Sequence, residues 1–242
     1  MKAQTTLENE FKKHYSQADR QLKDPLKRKL KHSYQTLDIA SKIFLLSENQ
    51  KEMLLLHDIG RFTQFYDSES FQHADFGFRF LMEIGFDMKT VLPIKYHEID
   101  TGWKNLIAND NYFINLADTD KKEVLFNAEL LKDMDIVSNM EEQIESKVIL
   151  SSSMNLNIIK CLLNGEICDS RDEVKSEIDK ILYILCGIYI INLEETKNYI
   201  SSNRIVSKLF SKAYKTINNC SKMKECIYKS EVFMYNKFKW LT

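Results

Sequence analysis

Apolar residues recur at three- and four-residue intervals along most of the chain, which is the spacing of one face of an α-helix. The first such stretch carries Leu7, Phe11 and Tyr15. A second helix is predicted to begin at Asp24, a favourable N-cap residue, with Pro25 in the first helical position. The pattern therefore predicts an all-α protein.

Further helices follow from start and stop signals between the apolar stretches. Asn49 and Glu52 resemble a capping box that would open a third helix. This helix is predicted to run from residue 50 to about 58, and Gly60 would help to end it. Residues 67–70 are predicted to form a loop, and the remaining helices are predicted at about 71–84, 87–97, 121–143, 153–163, 172–200 and 204–238.

The composition favours long helices over sheets. The 242 residues include 6 Gly and 2 Pro, too few for the tight turns of a sandwich or barrel or for the phosphate loops of a doubly wound fold. A hydrophobic fraction of 44% excludes general disorder. Because no repeat or linker interrupts the chain, we expect one domain over residues 1–242, with a loop near 151–153 as its weakest point.

Charge and cysteine usage narrow the class of protein. The 34 Lys and Arg balance 35 Asp and Glu, which gives no electrostatic reason to expect nucleic acid as the main partner. The polar start predicts no signal peptide, and the longest apolar run, 181–191, is about half of the roughly 20 residues that a membrane span needs. The cysteines are odd in number and form no Cys-x-x-Cys pair, so reduced thiols are expected. These features predict a cytoplasmic protein without a membrane partner.

The candidate chemistry lies in the histidines, four of which fall between positions 32 and 97. They are His32, His57 in a doublet with Asp58, His73 and His97, each at or near an apolar helical stretch. Any one of them alone would be explained as a buried core residue. Together, neutral imidazoles and a carboxylate are good ligands for divalent transition metals, provided that several helices bring them to one place.

The doublet also resembles a known motif. Residues 54–62 have the sequence Leu-Leu-Leu-His-Asp-Ile-Gly-Arg-Phe, and His32 precedes the doublet by 25 residues. This pattern resembles the HD-domain superfamily of metal-dependent phosphohydrolases, and His73 and His97 match the two additional histidines of its dinuclear members. The resemblance covers residues of about 20–140 and implies a compact helical HD-domain bundle. Residues of about 150–242 resemble the helical C-terminal extension of small bacterial members only in their general helical pattern, without a matching motif.

The resemblance implies one or two divalent ions per chain, with manganese, iron, cobalt, nickel or zinc as candidates. The implied ligands are His32, His57, Asp58, His73, His97 and Asp135. Asp58 would be catalytic as the bridge between the two ions, because a carboxylate between two cations neutralises their repulsion and helps to hold a water for attack on phosphorus.

The last of these ligands is the least certain match to the family motif. The family has an Ala-Asp-Lys-Leu-Asp-like segment, and the best match here is residues 131–137, with Asp135 aligned to the ligand. The family lysine is replaced by Ile136, and no aspartate follows at 138. Asp133 therefore stays a rival, and Asp118 is a weaker third candidate that would also suit a helix cap.

Two basic residues are candidates for contact with substrate. Arg61, one turn beyond His57, would be catalytic by binding a substrate phosphate through a forked contact, or it is a surface arginine after a helix end. Lys95 is a weaker substrate-binding candidate, and a solvated helix face explains it as well.

Three further polar residues have no place in the motif. Glu98 and Asp75 adjoin His97 and His73 and could orient them, although neighbours in sequence on a helix do not face each other. His14 is predicted to be a surface or partly buried residue.

The resemblance implies a metal-dependent hydrolase acting on a nucleotide or a similar small phosphorylated molecule. Two alternatives stay open: an HD-type diiron oxygenase, and a non-catalytic nucleotide-binding sensor that keeps the metal cleft. The absence of a Gly-Tyr-Pro signature argues against cyclic-di-GMP as the substrate. The apolar C-terminal helices would suit a homodimer, and core packing explains them equally well.

Overall fold

The computed structural model describes residues 2–64, 73–99, 101–168, 173–217 and 220–242. Over these residues the regular secondary structure is helical, apart from one isolated parallel bridge between Ser151 and Ile217. The prediction of an all-α protein is therefore confirmed. Within the same ranges, no helix combines the length and the apolar character needed to cross a bilayer.

The chain divides into two units, residues 1–135 and 136–242. The expectation of one domain over residues 1–242 stays a prediction. The first unit contains α1 (Lys2–Gln17), α2 (Arg20–Ile43), α3 (Glu48–Leu56), α4 (Arg61–Gln64), α5 (His73–Glu83), α6 (Met88–Tyr96), α7 (Trp103–Ala108), α8 (Asn111–Ile114) and most of α9 (Asp118–Glu145).

Helix α3 lies at the centre of the contacts in the first unit. It packs against α1, α2 and α6, and α5 packs against α6. The last turns of α3, Met53 to Leu56, are buried on every side. A helix that is apolar on all sides must lie inside the unit. The segment that follows α3 therefore starts from a buried position.

The second helix begins earlier than predicted. Asp19, rather than Asp24, is the N-cap, and its carboxylate accepts hydrogen bonds from the backbone N–H groups of Gln21 and Leu22. These two bonds satisfy N–H groups that have no partner within the helix. Pro25 therefore lies inside α2.

The capping box of the third helix is also shifted. It is formed by Ser47 and Gln50 rather than by Asn49 and Glu52. The Ser47 hydroxyl accepts the Gln50 N–H at 3.3 Å, and the Gln50 side chain accepts the Ser47 N–H at 2.9 Å. The predicted loop at 67–70 lies outside the described residues.

The second unit contains α10 (Leu156–Asn164), α11 (Glu177–Cys186), α12 (Glu194–Ser202), α13 (Ile205–Thr216) and α14 (Ser221–Lys237), with 3₁₀ turns at Gly187–Ile190 and Lys239–Leu241. The predictions of single helices over 172–200 and 204–238 are wrong, because each region forms two helices. At Gly187, a Cβ atom would lie 2.9 Å from the Ile136 side chain. At Ile217 the chain becomes extended and pairs with Ser151.

Gly60 allows the turn after α3 to touch the first turn of α5. A Cβ atom at Gly60 would lie 2.0 Å from the carbonyl oxygen of His73 and 2.8 Å from the backbone nitrogen of Gly77. Only a residue without a side chain permits such a close approach of two backbones. The contact brings the segment with His57 and Asp58 next to the helix that carries His73.

We predict that Gly60→Ala lowers the free energy of unfolding by about 1–3 kcal/mol, because the added methyl group meets backbone that cannot move aside cheaply. Gly77→Ala is the matched control, since its Cβ would stand at an ordinary 3.4 Å from its nearest neighbours and alanine favours the helix. Urea unfolding of both variants measures the difference. Equal stability of Gly60→Ala and the unsubstituted chain would contradict the close contact.

Candidate metal centre

The doublet follows directly after the buried end of α3. His57 is fully buried and caps the helix, and Asp58 is 3% exposed. Because the preceding turns lie in the core, both polar side chains are held away from bulk water. Buried polar groups of this kind need partners, and other helices supply them.

The first group of potential ligands joins α2, the end of α3 and α9. It consists of His32, His57 and Asp135, whose ligand atoms all lie within 4.8 Å of one another. Nε2 of His32 is 2.8 Å from Oδ1 of Asp135, and Nε2 of His57 is 3.7 Å from the same oxygen. Two imidazoles and a carboxylate therefore converge on one point.

The second group joins the doublet to α5 and to the end of α6. It consists of Asp58, His73 and His97, again with all ligand atoms within 4.8 Å. Oδ1 of Asp58 lies 3.0 Å from Nε2 of His73 and 3.7 Å from Nε2 of His97. The two Nε2 atoms are 3.2 Å apart.

Backbone carbonyls fix the tautomer of two of these histidines. Nδ1 of His57 donates to the carbonyl oxygen of Leu54 at 2.8 Å, and Nδ1 of His97 donates to that of Ile94 at 2.7 Å. A carbonyl only accepts, so the proton lies on Nδ1 and the neutral ring presents a lone pair at Nε2. Within the described residues, Nε2 of His57 is buried without a hydrogen-bond partner.

The second group is also built around histidine nitrogens. Burial lowers the pKa of His97, which keeps its ring neutral, so its Nε2 offers a lone pair. The carboxylate of Glu98 lies 2.8 Å from Nδ1 of His73, and Nε2 of His73 is close to both Oδ1 of Asp58 and Nε2 of His97. Nitrogen and oxygen ligand atoms at such short separations suit a divalent metal, and both groups therefore fit one.

Asp58 faces both groups with different oxygens. Oδ1 points to the second group, and Oδ2 lies 3.9 Å from Nε2 of His57 in the first group. Oδ2 also lies 3.1 Å from Nζ of Lys29, and Oδ1 lies 2.7 Å from Nε of Arg61. Burial raises the pKa of Asp58, but these two cations and His57 outweigh it and hold the pKa well below its usual range. The carboxylate is therefore ionised, as a bridging ligand must be.

Asp135 is the aspartate of α9 that meets the histidines, and Asp133 is not part of either group. Burial raises the pKa of Asp135, but the imidazoles of His32 and His57 outweigh it and hold the pKa well below its usual range. Asp118 is 95% exposed at the start of α9 and pairs with Lys121. Of the three candidates, Asp135 has the geometry of a ligand.

Arg61 lies beside the second group rather than on the open surface. Its side chain is 15% exposed, and besides Asp58 it bonds Glu98, with 3.1 Å between Nη2 and Oε1. A direct contact of Arg61 with substrate stays a prediction. Lys95 pairs with Asp110 at 2.6 Å, so its role in substrate binding also stays a prediction.

Glu98 contacts a different histidine from the one expected. It reaches His73 on α5 rather than its sequence neighbour His97, because α6 has ended and the turn directs the carboxylate across to α5. Burial raises the pKa of Glu98, but His73 and the other neighbouring charges lower it to about 2. Asp75 does not orient His73 through an ion pair of its own; it pairs with Arg79 at 2.6 Å.

Two lysines near the groups were not identified from the sequence. Lys29 lies one turn before His32 on α2 and reaches Asp58. Lys132 lies one turn before Asp135 on α9, is 3% exposed, and donates to the carbonyl oxygens of His97 and Ile99 at 3.0 and 2.5 Å. Each lysine lies three residues before a candidate ligand on the same helix, and this spacing places both side chains on one face. That spacing is the sequence signal that could have identified the two lysines.

His14 is the histidine outside the groups. It is buried on α1, 6% exposed, and lies 3.3 Å from Glu10, so the expectation of a surface or partly buried residue was wrong.

Comparisons of the chain with protein-family models, with curated proteins and with solved structures find no match. The arguments for a metal centre therefore rest on the residues themselves.

We predict that Asp135→Asn lowers the affinity for manganese by a factor on the order of 10–100, because an amide is a weaker ligand than a carboxylate. Asp118→Asn, an exposed aspartate of the same helix, should leave the affinity unchanged. Isothermal titration with manganese measures both. Circular dichroism checks that both Asp133→Asn and Asp135→Asn are folded. A larger loss of affinity in Asp133→Asn would identify Asp133, rather than Asp135, as the ligand.

Proposed function

We propose that this protein is a metal-dependent hydrolase of the HD-domain type, which cleaves a phosphate ester or anhydride of a nucleotide or a similar small molecule. The observation that carries the proposal is the position of Asp58, which has one oxygen in the second group and the other 3.9 Å from His57 of the first. A carboxylate in that position suits a centre of two ions. The HD resemblance of residues 54–62 agrees with the same arrangement.

The charge of the centre favours an anionic substrate only when metal is bound. Asp58, Glu98 and Asp135 carry three negative charges, which the positive charges of Lys29, Arg61 and the buried Lys132 do not exceed. Divalent ions in the two groups would reverse this balance, lower the pKa of a bound water and neutralise charge on phosphoryl oxygens. Phosphate binding should therefore depend on metal.

Residues around the two groups would orient the metal-binding rings and the phosphate of the substrate. The Nδ1 bonds of His57 and His97 hold their rings with Nε2 toward the centre. Glu98 lies 2.8 Å from Nδ1 of His73 and bonds Arg61 at the edge of the second group. Arg61 presents a planar guanidinium, which suits the oxygens of a phosphate.

The exposure of the residues indicates a small substrate. The histidines and Asp58 are buried, whereas Asp135, Glu98 and Lys29 retain 27%, 22% and 30% side-chain exposure. A ligand would approach from the side of these three residues. A narrow phosphate group fits such an approach better than a polymer backbone.

Iron chemistry is a second candidate. Four imidazoles and two carboxylates in two adjacent groups also suit a pair of iron ions that activate dioxygen. This alternative predicts oxygen consumption with an organic substrate and no release of phosphate.

The test is a phosphate-release assay on nucleoside mono-, di- and triphosphates with manganese, iron, cobalt, nickel or zinc, with an oxygen electrode run in parallel. We expect release with at least one metal, and loss of release in EDTA. His57→Gln should lower the rate by a factor on the order of 10–100 or more. His14→Gln, which removes a buried histidine outside both groups, should keep it.

Three outcomes would contradict the hydrolase. Oxygen uptake without phosphate release would favour the oxygenase. Tight nucleotide binding without any product would favour a sensor. Equal rates in His57→Gln and His14→Gln would place the reaction away from the His/Asp groups.

A further inference from the structure

The second unit contains a cleft with an unusual concentration of positive charge. It has a volume of about 390 Å³ and lies between the end of α9 and one face of α13. The lining residues are Ile144, Val148, Arg204, Ser207, Lys208, Ser211, Lys212 and Lys215. Four of them are cationic, and no acidic side chain lines the cleft. A volume of this order suits a small molecule.

The cations form a stripe along α13. Lys208, Ser211 and Lys215 follow one another at intervals of three and four residues on one face of the helix, and Arg204, in a left-handed conformation, caps the helix just before it. From Lys208 to Lys215 the stripe is about 10 Å long at 1.5 Å per residue. The other side of α13, with Leu209, Phe210 and Ala213 among its residues, is buried in the unit.

Lys212 has a structural role within the second unit. It is 6% exposed, and its ammonium donates to the carbonyl oxygens of Gln143 and Ser146 and to the Ser146 hydroxyl at the end of α9. A cation at the C-terminal end of a helix is stabilised by the exposed carbonyls. Lys212 is therefore a structural lysine that adds charge to the cleft wall.

No structural role of this kind is found for the other three cations of the cleft. Within the described residues, Arg204, Lys208 and Lys215 have no carboxylate at ion-pair distance. Lys208 and Lys215 lie four and three residues from Lys212 on the same helix, a spacing at which like charges repel, and an anion in the cleft would relieve this repulsion. The negative charge of Glu177 acts on the pKa of Lys212, but Glu177 does not line the cleft.

We propose that this cleft binds a small molecule with two or more linked phosphates, such as a nucleoside di- or triphosphate. The length of the stripe suits a chain of phosphates better than a single one. Lys208 and Lys215 supply ammonium donors, and Arg204 supplies a forked guanidinium. Ile144 and Val148 offer apolar surface to the organic part of the ligand. The site uses none of the residues of the His/Asp groups.

The test is isothermal titration of the full chain with ATP in EDTA, so that binding through metal ions is absent. We expect saturable binding, and at least a 10-fold loss of affinity in the double variant Lys208→Gln/Lys215→Gln. The matched control is Lys222→Gln/Lys224→Gln, which removes the same charge from exposed positions of α14 in the same unit. Its affinity should stay within twofold of that of the unsubstituted chain.

Three results would overturn the proposal: no saturation at millimolar ATP, an equal loss of affinity in the two double variants, or binding of a single-stranded oligonucleotide through Lys208 and Lys215 without binding of ATP. Because the titration is done without metal, it does not depend on the hydrolase. Its failure would leave the phosphate-release assay unaffected, and failure of that assay would leave the cleft unaffected.

Discussion

The buried carboxylate of Asp58 is the constraint on which the first unit depends. It follows the buried end of α3, and the Nε2 atoms of His57, His73 and His97 lie between 3.0 and 3.9 Å from its oxygens. Such an arrangement is unfavourable without positive charge. Lys29 and Arg61 supply part of that charge, and divalent ions would supply the rest.

Much of the centre could be predicted because its members are rare residue types in a regular pattern. With four histidines on apolar helical stretches, the chain offers few other ways to satisfy buried imidazoles. The choice of Asp135 over Asp133 could not be made from periodicity, because α9 carries buried residues on several sides and both positions are enclosed or partly enclosed. That choice needed the position of α9 relative to His32.

The features that were missed depend on contacts between distant parts of the chain. Glu98 faces His73 because of where α6 ends against α5, and no local pattern contains that information. The close approach of Gly187 to Ile136 is likewise a contact between positions far apart in the chain. The helix starts were shifted because Ser47 and Asp19 cap better in their actual settings than the residues chosen from spacing alone.

The most direct test of the metal centre is the number of metal ions per chain in protein purified without added metal or chelator. We predict two divalent ions per chain, and the loss of both together in Asp58→Ala, because Asp58 belongs to the second group and its other oxygen lies 3.9 Å from His57 of the first. One ion would restrict the centre to His32, His57, Asp58 and Asp135. No bound ion after incubation with manganese or iron, or full occupancy in Asp58→Ala, would contradict a centre built on Asp58.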